Sequence, residues 1–240
     1  AFSCDSFFYT LGTALGIERI AKWGELAGLG RKTGIDLPGE QAGDLPSVAW
    51  KQRRFQQRWL LGDTVNVSIG QGYLNVTPLQ LAHATGGITT GGVWQHPHLF
   101  KGQVAAAAPP RAAKVDLDHV QAVINAMCGV TAYGTARVAA LPGVELCGKT
   151  GTSQLISNET IKLRQLEGRI RDNAWFVGFA PRHNAEIVVA ALFEGGDHGD
   201  RASILVRDVV KSYFDKKARQ APAVTPVAQA APVAPSEAAR

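Results

Sequence analysis

Three stretches near the end of the chain have the apolar and β-branched character of β-strands. They cover residues 144–153, 173–180 and 186–194, and the connection between the last two is short. Short connections favour antiparallel pairing, because a parallel crossover needs a dozen or more residues. The pattern therefore predicts an antiparallel sheet, with a charged segment at 155–172 inserted between its first two strands.

Helical periodicity, with apolar residues three and four apart, marks several further segments. Thr77 followed by Pro78 is a strong start signal, and Gly28 is a strong stop signal. The predicted helices span residues 3–15, 17–27, 77–89, 116–130 and 201–216. The glycines of 63–72 predict sharp turns, and Gly91-Gly92 predicts a short hairpin over 91–100. Together these elements predict a mixed α/β (α+β) fold, an antiparallel sheet flanked by helices.

The composition changes near the end of the chain. Four of the twelve prolines fall in residues 218–240, among alanine, valine and glutamine. Such a segment cannot bury enough apolar surface to fold. We therefore predict a folded domain over 1–217 and a disordered tail over 218–240.

Overall charge limits the partners only loosely. The 240 residues are 45% hydrophobic and carry a formal net charge of +5, which suits work beside an anionic cell wall or lipid surface. The basic residues form no face interleaved with aromatic residues, so nucleic acid is not expected as a partner. The most basic segment, 50–59, is interpreted as solvated surface, with an anionic wall or lipid contact as the alternative.

Candidate chemistry centres on Lys149-Thr150-Gly151-Thr152. Residues 143–150 satisfy the phosphate-loop pattern G-x-x-x-x-G-K-T, but the segment reads as a strand and no good helix start follows it. The alternative is an edge strand. There Lys149 would place a positive charge beside a substrate carboxylate or a serine, Gly151 would admit a substrate backbone, and the Thr152 N–H would face an oxyanion.

Two further segments favour the edge strand. Ser3-Cys4-Asp5 and Lys149-Thr150-Gly151 correspond to the second and third elements of the signature S-x-x-K, S-D-N, K-T-G, with Asp5 in place of Asn. Three further segments lie between and after these two motifs, in an order typical of one protein family. They are Gly70-Gln71-Gly72, Thr77-Pro78-Leu79-Gln80 and residues 174–181. Over residues 1–214 the chain resembles the class B penicillin-binding proteins, above all those of cell elongation. Taken alone, Ser3 or Asp5 would simply be a helix cap.

The resemblance implies a fold and a set of roles. The fold would be the penicillin-binding protein/β-lactamase-like transpeptidase fold, and the activity D,D-transpeptidation of peptidoglycan through a serine acyl-enzyme. Ser3 would relay protons, Asp5 would orient a lysine or the substrate amide, and Lys149 would polarise Ser3. Thr150, Gly151 and Thr152 would bind the substrate.

One element of the signature is missing. No serine or threonine of the chain has a lysine three positions later, so the nucleophile motif S-x-x-K is absent. We expect a fragment, incomplete at the N-terminus and inactive by itself. The alternative is a catalytically silent homologue that acts as a β-lactam sensor or as a scaffold of the elongation complex. A D,D-carboxypeptidase or a β-lactamase is a further alternative.

The three cysteines give no evidence of a disulfide framework. Cys128 and Cys147 lie in apolar surroundings and are predicted to be small core residues. Cys4 is either a filler of the helix start or, as the resemblance implies, a possible ligand of a structural zinc ion. Catalysis by this family is expected to need no cofactor.

The resemblance also implies partners and a location. The expected partners are peptidoglycan stem peptides and their lipid-linked precursor polymer, β-lactam antibiotics, and a polytopic glycosyltransferase with other elongation-complex proteins. Family members carry a single anchor in the inner membrane and a catalytic domain in the periplasm. No apolar run of the chain reaches the ~18 residues that span a bilayer.

Overall fold

The structure is a computed structural model that describes residues 1–100, 109–155 and 171–220. The described helices are α1 (Asp5–Leu15), α2 (Ile17–Ala27), α3 (Val48–Phe55), α4 (Leu61–Ser68), α5 (Pro78–Thr89), α6 (Leu117–Ala132) and α7 (Gly199–Gln220). The described strands are β1 (Val93–Trp94), β2 (Arg111–Ala112), β3 (Cys147–Ser153), β4 (Asn173–Ala180) and β5 (Ile187–Phe193). None of these helices is both long and apolar enough to cross a membrane.

The strands β3, β4 and β5 form an antiparallel sheet in that order. Helix α7 packs on one face of the sheet, while α5 and α6 pack on the other. The alternation of side chains along β4 serves both layers. Phe176 packs with Val206 of α7, and Phe179 packs with Ile124 of α6. An antiparallel sheet flanked by helices was predicted, and the structure confirms it.

Local signals in the sequence explain where several helices begin and end. Thr77 and Gln80 form a capping box at the start of α5, in which each side chain accepts a hydrogen bond from the other residue's backbone N–H. The Asp116 side chain caps α6 by accepting hydrogen bonds from the backbone N–H groups of Asp118 and His119. Gly28 closes α2 in the left-handed conformation, with φ of 96°.

Three predictions for individual segments differ from the structure. Residues 61–68 form helix α4 rather than turns, because Asp63 accepts the Leu60 N–H at 2.7 Å and starts a helix before the glycines. The segment 91–100 is not a hairpin of its own, since β1 pairs with β2 across the intervening segment. Helix α7 continues to Gln220, beyond the predicted boundary at 217. Most of the predicted charged segment, 156–170, and the tail from 221 lie outside the described residues.

The basic segment 50–59 is only partly solvated surface. Arg53, Arg54 and Arg58 are exposed as predicted, but Lys51 is only 2% exposed. Its Nζ lies 2.5 Å from Oδ2 of Asp63, the residue that caps α4. The contact raises the pKa of Lys51, chiefly through the hydrogen bond to Asp63. This lysine therefore links α3 to α4 and is not a surface cation.

Cys128 and Cys147 form a disulfide, which the sequence analysis did not predict. Cys128 lies on α6 and Cys147 is the first residue of β3, so the bond joins the helix layer to the strand that carries Lys149. Both residues are also buried in the core, as expected from their apolar neighbours. Their pairing depends on how α6 packs against β3, which the local pattern of either segment does not reveal.

We expect the disulfide to stabilise the domain. The bond closes a loop with a sequence separation of 19 residues, for which the entropy lost by the unfolded chain corresponds to about 3 kcal/mol. Replacing both partners, Cys128→Ala with Cys147→Ala, should lower the free energy of unfolding in urea by about that amount. Cys4→Ala is the matched control, because Cys4 is exposed and unpaired. Equal stability of the two variants would contradict the assignment.

Candidate active site

The start of the chain meets the sheet at one hydrogen bond. Lys149 Nζ donates to Ser3 Oγ at 2.6 Å, across a sequence separation of 146 residues. Ser3 has a φ of 50°, a left-handed conformation that is uncommon outside glycine, and it lies just before α1. Residues held in such conformations cluster at functional sites. Neither Ser3 nor Asp5 caps α1, since the N-cap is Cys4 and it has no side-chain capping bond.

Strand β3 presents Lys149 because it lies at the edge of the described sheet. Among the described residues β3 pairs only with β4, with Lys149 opposite Val177 and Thr150 opposite Phe176. The free edge of β3 therefore lies open to a cleft. This placement excludes the phosphate-loop interpretation, because Lys149 and Thr150 lie within a strand rather than in a loop that opens a helix.

A cleft of about 680 Å³ surrounds the contact. All six residues predicted to be catalytic or substrate-binding line it: Ser3, Asp5, Lys149, Thr150, Gly151 and Thr152. The other lining residues are Tyr9, Ile69, Gln71, Thr135, Gln154, Asp172, His198, Gly199 and Asp200. The structure thus brings together residues from both ends of the chain, while their individual roles stay predictions.

The electrostatics of the cleft centre on Lys149. Burial lowers the pKa of Lys149 below the ordinary lysine value, and the nearby carboxylate of Asp5 partly opposes this. The ammonium also donates to the carbonyl of Thr150 at 2.7 Å. A half-buried cation of lowered pKa, hydrogen-bonded to a serine hydroxyl, can polarise that serine or attract a carboxylate.

Two contacts at the cleft were not predicted as part of the site. Thr135, in the turn after α6, shares a hydrogen bond of 2.8 Å with the hydroxyl of Thr150. Gln71 donates from Nε2 to the carbonyl of Thr152 at 2.6 Å, which ties the turn after α4 to β3. Gln71 lies in the Gly-Gln-Gly segment that the resemblance had pointed to. No local signal distinguished Thr135 from an ordinary turn residue.

The start of α7 lies directly behind the part of β3 that lines the cleft. A Cβ on Gly199 would come within 2.7 Å of the carbonyl oxygens of both Gly151 and Trp175. A glycine is therefore required for α7 to begin this close to the strand. The approach places His198 and Asp200 at the cleft, another arrangement that the sequence pattern did not reveal.

Cys4 is exposed and does not line the cleft. Its Sγ lies 3.5 Å from Ser6 Oγ, and that hydrogen bond lowers the pKa of the thiol. Across residues 1–100, 109–155 and 171–220, no group of three or more His, Cys, Asp or Glu residues lies close enough together to hold a metal ion. The described residues therefore do not make up the zinc site that the resemblance implied.

Lys149 on the edge strand and Ser3 bring together two of the three signature elements of penicillin-binding proteins. The sequence profile described as the penicillin binding protein transpeptidase domain matches residues 1–211, and the chain belongs to this family. The peptidoglycan D,D-transpeptidase MrdA of Acinetobacter baumannii is 37% identical over 219 residues, which are 86% of this chain and 32% of that protein. MrdA of Escherichia coli K12 is 33% identical over 222 residues, covering 87% of this chain and 35% of that protein.

Solved structures of penicillin-binding proteins have the same fold as this chain. Penicillin-binding protein PBP2 of Helicobacter pylori, in complex with MreC, superposes with a TM-score of 0.78 at 30% identity, covering 89% of this chain and 39% of that chain. PBP2 of Pseudomonas aeruginosa, in complex with WCK 5153, gives 0.74 at 35% identity, covering 87% and 45%. The predicted transpeptidase fold is confirmed. The chain spans about a third of the length of the curated relatives it matches.

The environment of Lys149 can be measured without reference to function. An NMR titration of its side-chain nitrogen should give a midpoint below the value of about 10.4 for a free lysine, because burial disfavours the ammonium. Asp5→Asn should lower the midpoint further, because it removes the charge that supports the ammonium. The matched control is Asp36→Asn, a carboxylate that does not line the cleft. A Lys149 midpoint at or above the free value, or equal shifts in the two variants, would contradict this assignment.

Proposed function

We propose that this chain belongs to a peptidoglycan D,D-transpeptidase of cell elongation that cross-links stem peptides and is acylated by penicillins. The observation that carries the proposal is the 2.6 Å hydrogen bond between Lys149 and Ser3, beside an open strand edge. It joins two elements of the family signature in one cleft. Similarity to MrdA and PBP2 supports peptidoglycan as the substrate.

The proposed reaction has two acyl transfers. A serine hydroxyl attacks the carbonyl of the penultimate D-Ala, the terminal D-Ala leaves as an amine, and an ester to the serine remains. The amine of a second stem peptide then attacks the ester and restores the serine. Ser3 would pass a proton to the leaving nitrogen, with Lys149 polarising its hydroxyl and Asp5 supporting the positive charge.

Strand β3 would bind the donor peptide along its free edge. The hydroxyls of Thr150 and Thr152 would hold the terminal carboxylate near Lys149, and Gly151 would let the peptide backbone approach. The Thr152 N–H would stabilise the oxyanion. Thr135 and Gln71 hold this strand segment in place through Thr150 and Thr152, so we assign them positioning roles.

The nucleophile itself is not among the 240 residues, which contain no S-x-x-K motif. The proposal therefore requires that the serine and its lysine base come from residues outside them. The described site supplies the proton relay, the carboxylate contacts and one oxyanion donor. It requires no cofactor for this chemistry, because every step is a proton or acyl transfer.

Location and partners follow from the same proposal. Disulfides persist in the bacterial periplasm and are rare in the cytosol, so the Cys128–Cys147 bond supports a periplasmic location. Attachment of this domain to the inner membrane is proposed from the family resemblance alone. We propose a lipid-linked precursor polymer as substrate, and a glycosyltransferase with other elongation proteins as partners. The complex of Helicobacter pylori PBP2 with MreC and the structure of a peptidoglycan synthase complex support this assembly by similarity.

Peptide mapping after penicillin treatment tests the proposal directly. The purified full-length protein should gain the mass of one penicillin, and the adduct should map to a serine followed by lysine three residues later. A Lys149→Ala variant should be acylated at least about tenfold more slowly, because a charge-assisted hydrogen bond at the site is lost. Absence of an adduct on folded protein would instead favour a silent sensor or scaffold.

Gln71 provides a test of the positioning role. Gln71→Leu should slow penicillin acylation about tenfold, the effect of losing one hydrogen bond of roughly 1.4 kcal/mol that fixes the Thr152 carbonyl. Gln57→Leu is the matched control, since Gln57 is exposed on the surface away from the cleft. An acylation rate unchanged in Gln71→Leu would remove Gln71 from the site, whatever the fate of the function proposal.

A further inference from the structure

A second cavity lies where the ribbon of β1 and β2 meets the end of α2. Trp94 and Arg111 are paired across the ribbon, and the Arg111 guanidinium carbon lies 4.2 Å from the centre of the indole ring. Trp94 is only 4% exposed and packs on Gly87 of α5, which leaves no room for a side chain there. The guanidinium of Arg111 is therefore held in a fixed place by a cation–π contact.

The cavity has a volume of about 230 Å³ and is lined by cationic and imidazole groups. Arg31, Lys32 and Arg111 contribute positive charge, and His83 and His96 complete the polar wall. A Cβ on Gly28 would lie 3.7 Å from Arg111 Nη2 and 3.5 Å from His83 Nδ1, so these two groups lie close together. None of the lining residues is shared with the candidate active site.

Three buried polar atoms of residues that line this cavity have no hydrogen-bond partner among the described residues. They are Arg111 Nη2, His96 Nδ1 and Trp94 Nε1. A buried, unpaired guanidinium nitrogen is costly. Arg31 and Arg111 line the same cavity. Burial lowers the pKa of Arg111, and the like charge of Arg31 lowers it further.

No carboxylate forms a salt bridge with Arg31 or Arg111 in the described structure. Arg31, Lys32 and Arg111 take part in none of its salt bridges, and no Asp or Glu lines the cavity. Asp36, the nearest acid along the chain, accepts the Leu99 N–H. Glu40 accepts hydrogen bonds from the Thr33 and Gly34 backbone, and the charge of Lys32 contributes to lowering its pKa. The segment 101–108, which connects β1 to β2, contains no acidic residue.

Several hydrogen bonds fix the residues that form the wall of the cavity. Gln80 is 1% exposed, and its Nε2 donates to the carbonyls of Arg31 and Ala42, both at 2.7 Å. This fixes the backbone that carries Arg31. His83 Nε2 lies 2.9 Å from the carbonyl of Gln95, which fixes the imidazole ring against the ribbon. Arg31 Nη2 donates to the carbonyl of Glu25, which orients the guanidinium without neutralising it.

We propose that this cavity binds a small oxyanion, a carboxylate or phosphate group, between the guanidinium groups of Arg31 and Arg111. Guanidinium groups bind both kinds of oxyanion through paired N–H donors. The anion would neutralise the Arg111 guanidinium and would screen the repulsion between the two arginines. The volume admits a single such group or a small molecule that carries it.

Calorimetric titration of the purified protein with sodium phosphate and with sodium acetate, at ionic strength held constant with chloride, tests the site. We expect saturable binding of at least one anion. Phosphate alone would indicate a phosphate ester as the natural ligand, and acetate alone would indicate a carboxylate. No saturable binding of either anion would overturn the proposal.

Charge-removal variants locate the binding. Arg111→Gln and Arg31→Gln should each weaken it at least about tenfold, as expected for loss of a charge-assisted contact. Arg54→Gln removes the same charge from the exposed end of α3 and should leave binding unchanged. Circular dichroism and the unfolding temperature check the fold. If the Arg111→Gln variant unfolds because its stacking on Trp94 is lost, the binding affinity of the Arg31→Gln variant alone tests the location of the site. Equal weakening by Arg54→Gln would overturn the proposal.

Discussion

The burial of β4 on both faces is the constraint on which the rest of the described structure depends. Its side chains pack against α7 on one side and α6 on the other, which fixes the sheet between two helix layers. Small residues make this possible, since a Cβ on Gly178 would come within 3.1 Å of Val206 on α7. With β4 in the middle, β3 lies at an edge of the described sheet, and its free side forms the wall of the cleft.

Lys149 shows what this architecture provides for chemistry. Its neighbours on β3 are tied to the core, and the disulfide at Cys147 fixes the start of the strand to α6. The lysine is half-buried and lines the cleft. Burial lowers its pKa and so disfavours the charged ammonium without eliminating it. The Ser3 hydroxyl, the Thr150 carbonyl and the nearby Asp5 carboxylate together stabilise the ammonium.

The fold uses buried cations in two different ways. Lys51 is compensated by Asp63, so it serves structure alone and joins two helices. Arg111 is stacked on Trp94 but lacks a carboxylate among the described residues, with Arg31 close by. A charge that is paired needs no ligand, whereas a charge held in place without a partner can bind one. This contrast is why we place a ligand at the second cavity and none at α3.

The sequence by itself determined the sheet, most of the helices and six of the residues that line the cleft, Ser3 and Thr152 among them. The sheet and helices follow from side-chain periodicity and from local signals such as Thr77 followed by Pro78, and the six site residues follow from short motifs that resemble those of a known family. The family resemblance implied that Lys149 would act on Ser3, and the structure shows that contact. Only the tertiary structure decided that Cys128 pairs with Cys147 and that Gln71 and Thr135 hold β3. Those contacts join residues far apart along the chain, and their geometry depends on how whole elements pack, which no local pattern encodes.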